Sequence, residues 1–402
     1  MPYVTIRADS RENLLNSAQR RWQAIREARP DLEPALALQR DLLTRIIDLS
    51  AALPGSGRMP KLSLPPKYLA AKLARGVPVL AGEPIPLPVT VLAPTLLQLC
   101  DALATGGAGE AATHIRESVD GGKLEAASLL TASLNRDQAA LRTGAVHRGL
   151  SPDLLWLVAE LAVSPFVHAL QRMLFGGVTA GDLRDALDAW NHGYCPACGS
   201  WPAVGEVVGG HRTLRCSFCS CAWELKTYAC IYCQESGEPF VTAAPDEERK
   251  DRRIEVCASC GGYLKTIDLS ELSPFPLLSI SDIETTDLDI AAMEHGYARP
   301  PLKDFGARKG GGLSAGIRAQ GGGTGRSTTY VQPSQLAQPS SRSILLRRRS
   351  SPSASRVSSF GAPTLRPAAL PAVTTSRPTA SVSCFVIFQR SPAVRRRAWI
   401  SS

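Results

Sequence analysis

Along the first 190 residues, apolar positions recur at spacings near three and four, the period of amphipathic helices. In DSRENLLNSAQRRWQAIREARP the stripe is Leu14, Leu15, Ala18, Trp22 and Ile25, and Pro30 stops it. DLEPALALQRDLLTRIIDLSAAL continues the pattern, with Asp31 placed as an N-cap. Residues 53–94 are rich in Pro and Gly and read as a long irregular connection with short helices. Helical periodicity restarts in PTLLQLCDALAT and KLEAASLLTASLN. Ser151 and Pro152 form an N-cap and first-turn pair opening DLLWLVAELAV. Pro165 is expected to start or kink another helix through Phe175, which Gly176 and Gly177 stop, and Thr179 begins AGDLRDALDAW. No catalytic motif stands out in this half, and Cys100 reads as a small core residue.

Beyond residue 190 the punctuation changes. WPAVGEVV and HRTLRC flank Gly209-Gly210 and predict a β-hairpin with a two-residue turn. PFVTA and RIEVC flank the charged loop PDEERKDRR, a solvated tip, and predict a second, longer hairpin. Each hairpin leads into one more strand, AWELK or GYLKTIDL, so the architecture is duplicated although the sequence is not obviously so. SDIETTDLDIAAMEHGY then returns to helix.

Composition alters this picture in two places. The chain of 402 residues carries a formal charge of +9, but from Ala307 onward it has 15 Lys and Arg and no Asp or Glu. The first 306 residues hold 30 basic against 36 acidic residues, so the body is mildly acidic. An acidic body argues against nucleic-acid binding, which needs a basic face to neutralise phosphates. The last 96 residues are Ser, Pro, Ala, Gly and Arg with little period, expected to be a disordered basic tail or a segment translated in the wrong frame. The opening MPYVTIRADSRENLL shows no secretory signal, and LLWLVAELAVSPFVHAL, with Glu160, Pro165 and His168, suits a buried helix better than a membrane span. The chain therefore reads as cytoplasmic, where thiols stay reduced.

That compartment decides the chemistry of the cysteines. Eight of eleven form four Cys-x-x-Cys pairs: Cys195/Cys198, Cys216/Cys219, Cys230/Cys233 and Cys257/Cys260. In a reducing compartment such pairs mean metal before they mean disulfides. Each pair sets two thiolates on one side of a tight turn, helped by the permissive Gly199 and Gly261 that follow two of them. Two turns brought together by a hairpin make a tetrahedral four-sulfur cage for Zn²⁺ or a single iron. Short-loop closure groups the first four cysteines around one metal and the last four around another. Structural zinc would hold together a segment with few large apolar side chains; a redox-active mononuclear iron, as in rubredoxin, uses the same CPACG turn, and the ligands do not separate the two. Cys221 reads as a packed or free thiol, His192 and His211 as surface or hairpin residues, and Trp201 and Trp223 as the small core of the first ribbon.

CPACGSWP, LRCSFCSCAW, CIYC, CASCGGYLK and MEHGYAR resemble the formate dehydrogenase accessory protein family of FdhE type, over about residues 3–303. The resemblance implies a cytoplasmic, non-enzymatic assembly factor that contacts the catalytic subunit of a respiratory formate dehydrogenase before its export. It also implies that the eight cysteines bind iron in rubredoxin-like sites. Cys221 lies outside the family pattern, and this chain runs on for about 95 residues past the family's usual end, which favours the wrong-frame reading of the tail. The expectation is an α+β protein: a helical N-terminal domain at 1–190, four-cysteine rubredoxin-like or zinc-ribbon-like metal modules at 191–229 and 230–306, the second with a C-terminal helix, and the tail at 307–402. Two other readings stand beside it, a nucleic-acid-binding zinc-ribbon protein and a rubredoxin-like electron-transfer or thiol-redox protein.

Overall fold

Ser10 opens the first helix by accepting a hydrogen bond on Oγ from the backbone N–H of Asn13 at 3.2 Å. The computed structural model describes residues 3–6, 9–54, 58–245 and 249–302; the expected tail at 307–402 lies outside them. A two-residue strand, β1 (Tyr3–Val4), precedes α1 (Arg11–Ala28) and α2 (Glu33–Ala52). Asp31 does not cap α2: its carboxylate pairs with Arg29 at 2.7 Å, and a short 3₁₀ turn leads into the helix. The apolar stripe of α1 is buried as its spacing predicts, at Leu14, Ala18, Trp22 and Ile25.

The region expected to be irregular contains α3 (Pro66–Ala74), and α4 (Val89–Leu103) starts five residues before Pro94, which it absorbs. A break at Gly107, with φ of 114°, separates α4 from α5 (Gly109–Asp120). Then follow α6 (Ala126–Leu134), α7 (Gln138–His147), α8 (Pro152–Phe175) and α9 (Asp182–Ala189). Helix α8 continues through Pro165 as one element. The proline removes one N–H, yet residues on both sides of it, from Leu154 to Leu170, are buried among α2, α4, α6 and α7, and that packing keeps one continuous helix. By length and hydropathy α8 and the stretch Val89–Asp120 could each cross a membrane, but most of α8 is the centre of the core.

Among the described residues, the cysteine region and β1 form one seven-stranded sheet. β2 (Pro202–Val208) and β3 (His211–Cys216) make the predicted hairpin, with Val208 opposite His211 across Gly209-Gly210. Both turn glycines have positive φ, 57° and 85°, as a two-residue hairpin turn of this kind requires. β4 (Ala222–Glu224) pairs with β3. β5 (Phe240–Ala243) and β6 (Arg252–Cys257) make the second hairpin, and β7 (Gly262–Asp268) pairs with β6. The strand order is β1-β4-β3-β2-β7-β6-β5. The two hairpin units are joined by the parallel pair β2/β7, with Val204 opposite Lys265 and Val207 opposite Asp268. The close approach suits Gly205, where an added Cβ would lie 2.9 Å from the Thr266 methyl.

Helices α10 (Leu278–Glu284) and α11 (Thr286–Glu294) follow β7. Ile280 and Ile283 share a core with Leu14, Trp22 and Ile25 of α1. Gln39 ties the two regions, accepting from Trp22 Nε1 at 2.8 Å and donating to the Ser279 carbonyl at 2.7 Å. Behind β7 lies a buried charge quartet. Lys265 Nζ is 2.7 Å from Asp282 and 2.5 Å from Asp289, Arg299 approaches both carboxylates at 3.5 and 3.3 Å, and the Tyr263 hydroxyl donates to Asp289 at 2.8 Å.

Candidate metal centres

All four Cys-x-x-Cys turns are built alike. The N–H of the residue after the second cysteine donates to the carbonyl of the first: Gly199 to Cys195, Ser220 to Cys216, Gln234 to Cys230 and Gly261 to Cys257, at 2.8–3.1 Å. That closure puts the donating residue in the left-handed region, with φ of 82°, 53°, 66° and 68° in the same order. Glycine takes this conformation freely, whereas Ser220 and Gln234 are held there against their preference. Gln234 is exposed, its Nε2 donating only a long hydrogen bond to the Cys230 carbonyl at 3.5 Å. Gln234→Gly is therefore expected to stabilise the metal-loaded protein by about 0.5–1 kcal/mol, read as a rise in the urea midpoint.

The turns bring the sulfurs together in chain order. Cys195, Cys198, Cys216 and Cys219 form one group and Cys230, Cys233, Cys257 and Cys260 the other, all ligand atoms of each group lying within 4.8 Å of one another. In the first group, Cys195 and Cys219 sulfurs are 3.6 Å apart, Cys198 and Cys216 3.4 Å, and Cys198 and Cys219 3.6 Å. In the second, Cys230 and Cys260 are 3.7 Å apart and Cys233 and Cys257 3.6 Å. A disulfide would need ~2.05 Å. A tetrahedral ion with metal–sulfur bonds of ~2.3 Å has sulfur–sulfur edges of ~3.8 Å. The spacing fits four thiolates around one small ion with slight expansion.

Backbone N–H groups also face the sulfurs. Ala197 approaches Cys195 Sγ at 3.4 Å, and Phe218 and Cys219 approach Cys216 Sγ at 3.4 and 3.5 Å. Such donors favour thiolate over thiol. Burial acts the other way and pushes the Cys195, Cys216 and Cys219 thiols well above their usual range. Four closely packed sulfurs shielded from water become anionic together only around a cation, whose binding releases their protons.

The two groups differ in exposure. All four cysteines of the first are buried; in the second, Cys233 and Cys260 are exposed. The first is anchored to α8, where Ser164 Oγ donates to the Phe218 carbonyl at 2.6 Å. His168 Nδ1 lies 2.9 Å from the Cys219 carbonyl, and the ring stacks on Phe275 at 4.3 Å. Burial pushes the His168 imidazole down to about 4, so the neutral ring donates its Nδ1–H to that carbonyl. Sequence reading passed over His168 because a lone histidine on an apolar helix carries no motif.

Other cysteine and aromatic expectations resolve simply. Cys221 is buried outside both groups, its carbonyl accepting from the Cys216 N–H at 2.9 Å. Cys100 is buried in the main core. His192 stacks on Tyr194 and His211 sits exposed at the hairpin; neither joins a sulfur group. Trp201 and Trp223 are buried, and their indole N–H groups donate to the carbonyls of Pro301 and His192 at 2.9 and 3.0 Å. Of the loop PDEERKDRR, residues 246–248 lie outside the described residues, while Arg249 pairs with Asp287 at 2.7 Å.

No protein-family model matches the chain. Among curated proteins it is similar to an FdhE homologue of Pseudomonas aeruginosa, 29% identical over 253 residues, covering 59% of this chain and 73% of the relative. It is also similar to FdhE homologues of Stutzerimonas stutzeri, 32% identical over 144 residues (34% and 47%), and of Aquifex aeolicus, 26% identical over 159 residues (38% and 53%). In these last two the chain spans about half the relative's length. A crystal structure of the FdhE protein from Pseudomonas aeruginosa aligns with 75% of this chain and 98% of its own, at 25% identity and a TM-score of 0.46. The relatives share one name, FdhE homologue, and the chain is similar to each of them over part of its length.

Proposed function

We propose that this protein is an assembly factor for a formate dehydrogenase, engaging the enzyme's catalytic subunit in the cytoplasm and carrying an ion, iron or zinc, in each four-cysteine cage. Similarity to proteins named FdhE carries this reading. The cages support it because each offers four thiolates and so leaves no open coordination position for a small substrate. A protein with closed metal sites acts on its client by contact or by electron transfer, and this chain is therefore taken as a non-enzymatic maturation factor. Iron would supply a one-electron couple at such a site; zinc would supply folding energy alone. The surrounding chain excludes water from the first cage and orients its sulfurs through the N–H groups of Ala197, Phe218 and Cys219.

Tagged protein recovered from formate-grown cells is expected to bring down the catalytic subunit of a formate dehydrogenase. Deleting the gene should abolish that enzyme's activity, and a chain ending at residue 306 should restore it as well as the full chain does. Unchanged formate dehydrogenase activity in the deletion strain would remove the reading. Iron-loaded and zinc-loaded protein, both shown to be folded and to bind equally, should differ in anaerobic reconstitution of the inactive enzyme. Activation by the iron form alone is expected; equal activation would leave client binding as the whole function.

A further inference from the structure

The two sulfur groups touch through their frames. Gly193, two residues before Cys195, lies against Ile231, between Cys230 and Cys233; a Cβ on Gly193 would stand 1.9 Å from the Ile231 carbonyl oxygen. Trp201, three residues after Cys198, meets the ring of Tyr232 edge-on, with centroids 4.9 Å apart at 75°. The Tyr194 ring flanks Trp201 at 5.9 Å. Tyr232 in turn lies over Gly262, where a Cβ would be 2.4 Å from the ring, and its hydroxyl donates to the Tyr263 carbonyl at 2.9 Å. The turn at residues 230–233 is thus held between the flanks of the first cage's opening turn and the strand that leaves the second cage's closing turn. The same two flanks continue into β2 and β7, which pair directly.

We propose that the two cages bind soft, thiophilic ions cooperatively and in a fixed order, the buried cage first, the exposed cage second and exchangeable. The proposal rests on the metal reading given above. An ion in the first cage fixes residues 193–201 in one arrangement, and that arrangement presents Gly193 and Trp201 to Ile231 and Tyr232. The second cage then closes on a frame already ordered, so less conformational freedom is lost when its ion binds. Coupling of this kind is reciprocal: each ion raises the other's affinity by the same factor. Order and exchange follow from exposure. A competing ligand must reach sulfur or metal directly, and it can do so at Cys233 and Cys260 but at none of the four buried thiols of the first cage.

The full chain reconstituted with Co²⁺ reports each four-sulfur site through its sulfur-to-cobalt charge-transfer absorption. Two equivalents are expected, and a chelator should remove them in two phases at least tenfold apart in rate, the fast phase missing in Cys233→Ser. Affinity of the second cage should fall at least tenfold in Cys195→Ser/Cys198→Ser, and that of the first by the same factor in Cys230→Ser/Cys233→Ser. Tyr232→Leu, which keeps all eight ligands, should lower second-cage affinity by a larger factor in the wild-type background than once the first cage has been abolished, where only its contacts with Gly262 and Tyr263 are lost. Two sulfur-ligated ions that leave in a single phase, or whose affinities ignore each other's cage, would overturn the proposal and leave the metal reading intact. Absence of any charge-transfer absorption would overturn both.

Discussion

Cys216→Ser is expected to unfold the first hairpin unit, with partial loss of strand signal in circular dichroism, rapid proteolysis between residues 190 and 229, and loss of the first cage's ion. Cys216 ends β3, its sulfur lies 3.4 Å from that of Cys198, and it receives two backbone N–H groups. A structural ion of this type contributes about 10–16 kcal/mol to folding, while whole domains are stable by only about 5–15 kcal/mol. Losing one thiolate of four therefore puts the entire margin at risk. The damage should spread, because Cys195, Cys198, Cys216 and Cys219 belong to the same core as Val163, Phe166 and Leu170 of α8. Cys260→Ser, at an exposed ligand of the other cage, should retain a folded helical half and lose metal selectively. Wild-type melting of Cys216→Ser would show that the first cage is not needed for folding.

Lys265→Met should lower stability by about 3–5 kcal/mol and shift the thermal midpoint down by several degrees. Lys265 and Asp289 are fully buried, and two carboxylates depend on the one ammonium and on Arg299. Removing the ammonium leaves more negative than positive charge in a buried site, the costly way to break a buried ion pair. The double variant Lys265→Met/Asp289→Leu removes one charge of each sign and should recover a good part of the loss. A double variant no better than the single one would show that charge imbalance is not the cause and that Tyr263, which donates to Asp289, carries the contact.

The cysteine hairpins were legible because their signals are local. Gly209-Gly210 sits between two apolar runs, and a pair of cysteines two residues apart announces its own turn. The left-handed Ser220 and Gln234 were not legible in the same way: neither residue type favours that conformation, and only repetition of the Gly199 and Gly261 geometry through all four turns reveals it. The parallel pairing of β2 with β7 was hidden for another reason. Its partners lie about sixty residues apart, and no spacing in the chain encodes which edge of one hairpin unit meets which edge of the other. The quartet of Lys265, Asp282, Asp289 and Arg299 is scattered among ordinary surface-like charges, so burial, not pattern, identifies it. No new helix starts at Pro165, because packing on both sides of it outweighs one missing hydrogen bond.

The pairing of Tyr3 with Trp223 and of Val4 with Ala222 sets an order of events during synthesis. The first strand leaves the ribosome about 220 residues ahead of its neighbour in the sheet. At translation speeds of about 5–20 residues per second, that is a wait on the order of ten to forty seconds. The helices around α8 can assemble in this interval from contacts that are close in sequence, whereas the sheet's long-range pairings must come late. Metal delivery to the complete first cage thus cannot precede synthesis of Cys219, a little past the middle of the chain. A nascent chain short of residue 224 offers thiols but no edge for its own amino-terminal strand.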